Sequence, residues 1–133
     1  MPLPTAVPGP EGSAGNVTTL NGHVQTDNSS APAVAVGAGA GSGATAALVS
    51  GTDTAGQVTI TTAGTPAAGT LATVTFATPF AAKPACFVCC ASADSGLVPL
   101  AATSTTTVLT IYAQAGVTTA HTYLINYLAV AAL

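Results

Sequence analysis

From residue 51 onward the chain alternates apolar and polar residues in short runs parted by turn residues, and no ten-residue window carries a clear helical stripe. The runs predict strands near 57–62, 70–78, 85–92, 97–103, 106–114 and 122–131. Breaks come from Gly64-Thr65-Pro66, residues 79–84, Asp94-Ser95-Gly96 and Gln114-Ala115-Gly116. Successive side chains of a strand point to opposite faces, so Val58 and Ile60 are expected inside and Gln57, Thr59 and Thr61 outside. Ala72, Val74 and Phe76 alternate with Thr73 and Thr75 in the same way, as do Leu109 and Ile111 with Val108, Thr110 and Tyr112. Strands buried on one side belong to an antiparallel sandwich. The expected fold class is therefore all-β: an antiparallel, jelly-roll-like β-sandwich with an extended N-terminal arm.

Two segments depart from this pattern. Phe87-Val88-Cys89-Cys90 is apolar on both faces, and so is the last strand, with Tyr123, Ile125, Tyr127 and Ala129 on one side and Leu124, Leu128 and Val130 on the other. A doubly apolar strand in a small sandwich needs a second cover, either a neighbouring subunit or the chain's own arm. A subunit interface built from Phe87, Val88, Tyr123, Leu124, Tyr127, Leu128 and Val130 is the expectation.

Upstream, residues 1–32 are rich in Pro, Gly, Ser and Asn and read as extended chain and turns, an arm preceding a domain at 33–133. Ala33-Val34-Ala35-Val36 alternates briefly and is followed by Gly37-Ala38-Gly39-Ala40-Gly41-Ser42-Gly43. Alternate glycines strip side chains from one face and let backbones approach, so 33–51 reads as a tight turn region between short strands. It is no phosphate loop, lacking the Gly-Lys-Ser/Thr ending and any nearby cation.

Charge narrows the possible partners. Only 4% of residues are charged; Lys83 is the sole Lys or Arg, against Glu11, Asp27, Asp53 and Asp94. Nucleic-acid binding requires clustered cations to displace counterions, and anionic membranes require them too, so neither is an expected partner. Hydrophobic content is 49%, but much of it is alanine and aromatics are only 5%, which makes a thin core. Small domains without metals or disulfides gain stability by association, and homo-oligomerisation is expected. Met1-Pro2-Leu3-Pro4 has neither a basic nor an apolar leader region, so no secretory signal is expected there.

Candidate chemistry is sparse. Cys86, Cys89 and Cys90 include a C-x-x-C spacing, but a strand divides those thiols between two faces and no second pair or nearby His completes a tetrahedral site. They read as small buried hydrophobes. His23 and His121 sit in no catalytic motif, and Asp53 and Asp94 lie in turn sequences where a carboxylate bonds nearby backbone N–H groups. No catalytic residue, cofactor or metal is expected, and the chain does not read as an enzyme.

Gly51-Thr52-Asp53-Thr54-Ala55-Gly56-Gln57-Val58-Thr59-Ile60-Thr61-Thr62, the run Gly69-Thr70-Leu71-Ala72-Thr73-Val74-Thr75-Phe76, Ser104-Thr105-Thr106-Thr107 and Thr122-Tyr123-Leu124-Ile125-Asn126-Tyr127-Leu128 together resemble a β-module of tailed-phage structural proteins. The resemblance covers about residues 33–131 and departs at Cys86 to Cys90. It implies a virion component, commonly a homotrimer, made in the host cytoplasm. A capsid decoration protein on the outer head surface is the first expectation, with the major capsid protein as partner and Leu3, Val7, Val17 and Leu20 of the arm as contacts. A head or tail fibre tip that attaches to the host is the alternative, with Tyr112 as its candidate aromatic platform.

Overall fold

The computed structural model describes residues 17–20, 23–26, 31–92 and 98–131. Its strands are β1 (Val17–Leu20), β2 (His23–Thr26), β3 (Ala33–Val36), β4 (Thr45–Gly51), β5 (Ala55–Thr61), β6 (Gly69–Thr75), β7 (Ala85–Cys90), β8 (Leu100–Ser104), β9 (Val108–Ala113) and β10 (Thr122–Val130). The chain is all-β. Eight strands form two antiparallel four-stranded sheets, ordered β4-β5-β10-β7 and β3-β6-β9-β8, in a sandwich.

The inner faces follow the alternation. Val58 and Ile60 of β5 lie opposite Ile125 and Tyr123 of β10, and all four are buried. The facing sheet contributes Ala72 and Val74 from β6 and Leu109, Ile111 and Ala113 from β9. Phe76, just beyond β6, is buried and meets Phe80 edge to face at 4.8 Å. A register shift in the β6–β9 pairing between Thr70 and Ala72 inserts Leu71, so Leu71 and Ala72 are both buried although adjacent.

Residues 33–51 form a tight turn between two short strands, as expected. β3 coincides with the Ala-Val alternation, and β4 is an edge strand that the pattern had not revealed. Its Ala46 and Leu48 pack against the core, but a bulge at Val49 breaks the alternation, leaving Val49 and Ser50 both exposed. Between β3 and β4 the glycine run makes a single 3-10 turn at Ala38–Ala40. The expected close approach is present: a Cβ at Gly41, where φ is +92°, would collide with the Ala63 carbonyl.

Asp53 corrects the reading of its turn. Its carboxylate does not cap its own loop. One oxygen accepts from the Ala77 N–H at 2.7 Å and the other from the Thr78 N–H at 2.8 Å. The side chain is 5% exposed and ties the β4–β5 turn of one sheet to the segment leaving β6 in the other. Thr52 organises the turn itself, its hydroxyl accepting from the N–H groups of Thr54 and Ala55.

Residues 17–20 and 23–26 also differ from the expected extended arm. β1 and β2 pair antiparallel with each other, Val17 opposite Thr26 and Leu20 opposite His23, as a separate two-stranded sheet.

Candidate interaction surface

The outer face of the β4-β5-β10-β7 sheet divides into a polar and an apolar half. On the polar side the Gln57 amide donates to the Asn126 side-chain oxygen at 2.8 Å, and the Thr61 and Thr122 hydroxyls lie 2.9 Å apart. The apolar side runs along β7 and β10. Phe87 stands opposite Leu128, and Ala85 opposite Val130. Phe87 is 65% exposed, Val130 46% and Leu128 40%. A shallow groove of about 370 Å³ lies here, lined by Phe87, Val88, Cys89, Asn126, Tyr127 and Leu128.

Why these side chains face outward follows from the strand period. Within β7, Cys86, Val88 and Cys90 are half-buried while Ala85, Phe87 and Cys89 are exposed. Val88 and Cys86 pack against the core. Of the seven residues expected at an interface, Phe87, Leu124, Leu128 and Val130 therefore lie on the outer face. Val88 belongs to the inner side.

Tyr123 and Tyr127 are corrections: at 2% and 3% exposed they are core residues enclosed by the chain's own sandwich rather than outward-facing ones. Apolarity on both faces of β10 could not distinguish a face covered by the opposite sheet from one left open. Both phenols are bonded at their tips. Tyr123 accepts from the Thr118 N–H at 2.9 Å, and Tyr127 donates to the Thr52 carbonyl at 2.6 Å. Burial pushes the Tyr127 phenol up to about 12, helped by the negative Asp53 carboxylate. Gly56, directly opposite Tyr127, gives the ring its room; a Cβ there would stand 2.5 Å from the phenol oxygen.

The arm residues expected to contact a capsid divide differently. Val17 and Leu20 are the end residues of β1, whereas Leu3 and Val7 lie outside the described residues.

Among the cysteines, the division between faces holds but the expected burial of all three does not. Cys89 is exposed, while Cys86 and Cys90 are half-buried, and all three are free thiols. Among the described residues no three His, Cys, Asp or Glu side chains gather as metal ligands. Asp53 spends both oxygens on backbone donors, and His121 packs edge-on to Tyr123 at 4.6 Å with a buried, unpartnered Nε2. Neither is poised beside a nucleophile among the contacts of the described residues. Tyr112, the expected aromatic platform, is half-buried on the outer face of the other sheet, opposite Thr70 and Ala101.

Comparison with protein-family models, curated proteins and solved structures found no match.

Proposed function

We propose that this chain is a non-enzymatic bacteriophage structural protein, a capsid decoration protein that binds the assembled head shell as a homo-oligomer, commonly a trimer in the modules it resembles. The observation that carries the reading is the outer face of β7 and β10, where Phe87, Leu128 and Val130 are left exposed on a sandwich with almost no surface charge. Among the described residues Lys83 and Asp53 are the only Lys, Arg, Asp or Glu, and Asp53 is buried. Such a surface suits a protein whose faces are consumed by assembly. The major capsid protein is the proposed partner and the outer head surface the proposed location, with residues 1–32 making the attachment.

The test is co-sedimentation of purified protein with undecorated heads. Full-length protein should pellet with heads in a fixed stoichiometry, and protein lacking residues 2–30 should stay in the supernatant. Decoration at full occupancy by the shortened protein would move the attachment to the β-domain; no binding by the full-length protein would remove the head reading.

A fibre-tip role is the second reading, favoured by Phe87, a well-exposed aromatic beside the Asn126 amide in the same groove. Glycan-array binding that is lost in Phe87→Ala would support it over capsid decoration.

A further inference from the structure

We infer that the outer face of the β4-β5-β10-β7 sheet is the surface through which one copy of the chain packs on another, with Phe87 as its apolar anchor. The inference rests on reading the protein as a structural oligomer and names the face that reading leaves open.

Three observations select a second copy as the occupant. The first is charge. No residue of β4, β5, β7 or β10 is charged. A partner with an ordinary charged surface would lose hydration here and receive no counter-charge in return. A second copy brings a surface equally free of charge.

The second is area. Four strands of six to nine residues, spaced about 4.8 Å apart and rising about 3.4 Å per residue, present roughly 450 Å² in projection. With the relief of the side chains, two such faces reach the total of roughly 1,000 Å² that a specific interface requires.

The third is the polar half. The Gln57–Asn126 amide pair and the Thr61–Thr122 hydroxyl pair carry both donors and acceptors. Groups of that kind can satisfy their own copies across a symmetric contact, in which residue i meets j and j meets i. A face that is half apolar and half amide or hydroxyl is thus complementary to itself. Phe87, the exposed aromatic of its apolar half on edge strand β7, has the residue type of an interface hot spot.

Sedimentation equilibrium at micromolar concentration on the wild type and on the double variant Phe87→Ser, Leu128→Ser provides the test. Both side chains point away from the core, so the variant should melt cooperatively. It should run as a monomer where the wild type is an oligomer. Cys89 gives a second readout on the same face: maleimide should label it slowly in the wild-type oligomer and at least tenfold faster in the variant. An oligomer of wild-type mass in the double variant overturns the inference, as does equally rapid Cys89 labelling in both proteins. If the double variant fails to melt cooperatively, Leu124→Lys, with the substitution on the same outer face, takes its place and should likewise dissociate the oligomer; retention of the wild-type mass overturns the inference. A monomeric wild type that decorates heads, or that binds a glycan through Phe87, also overturns it. By contrast, an oligomer that dissociates as expected but ignores heads supports this face and removes the capsid reading.

Discussion

Asp53 accounts for a stabilising contact that its local sequence does not suggest. Two backbone N–H groups, 24 and 25 residues downstream, converge on one buried carboxylate. In Asp53→Asn one acceptor becomes a donor, so one of those N–H groups loses its partner inside the protein. Bonds to a charged acceptor contribute more than neutral ones, and the expected loss is about 2 kcal/mol, read as a fall in melting temperature of roughly 6 °C. An unchanged melting curve would mean that the bonds contribute nothing net. Tyr127, beside it, gives the alkaline limb of stability its shape. The unfolded chain releases the phenol proton near pH 10, whereas the folded chain holds it to about 12. The stability from this difference is fully present below about pH 10 and lost as pH rises to about 12. Denaturant titrations across that window should decline in the wild type, and Tyr127→Phe should flatten the decline while losing the bond to Thr52.

The strands divide into those that the residue pattern reveals and those that it obscures. β5, β6 and β9 alternate strongly enough for their inward sets to be legible from the chain alone, because threonine marks one face and Val, Ile or Leu the other. β4 was obscured by alanine, which suits either face, and by the Val49 bulge. The outward-facing residues of β7 and β10 were legible only in part. Alternation placed Phe87, Leu128 and Val130 on one side of their strands, but which side meets the other sheet depends on long-range packing, and so Tyr123 and Tyr127 were misassigned. The Asp53 bridge carries no local signal at all, since its partners are fixed by how the two sheets stack. Strand pairing also bears on the arm. Among the described residues, β1 and β2 pair only with each other, and the eight sandwich strands pair only among themselves. Removing residues 2–30 should therefore leave the far-UV circular dichroism of the sandwich and its melting temperature nearly unchanged; loss of cooperative melting would show that the arm is part of the core.

Across the entire molecule the dominant fact is the near-absence of charge. With Lys83 the only Lys or Arg of the chain, Coulombic attraction can contribute little to any contact the protein makes. The self-association proposed above should accordingly change by less than about twofold between about 0.05 and 0.5 M sodium chloride, because there are few ion pairs to screen. Sulfate should strengthen it by disfavouring exposed apolar surface. Sedimentation across both salts separates the two effects, and a steep weakening with sodium chloride would point to charged contacts elsewhere.

The position of β10 between β5 and β7 has a consequence for the order of events during synthesis. β10 emerges from the ribosome after the other described strands, yet it is central in its sheet and pairs with β5 residues made about sixty to seventy positions earlier. Until residue 130 has emerged, β5 and β7 have no strand between them, and that sheet cannot close. The apolar strip shared by β7 and β10 does not exist in any shorter nascent chain. A nascent chain that ends short of residue 130 therefore lacks the completed strip, and under the self-packing proposed above it cannot yet capture its neighbours on the same message through that face.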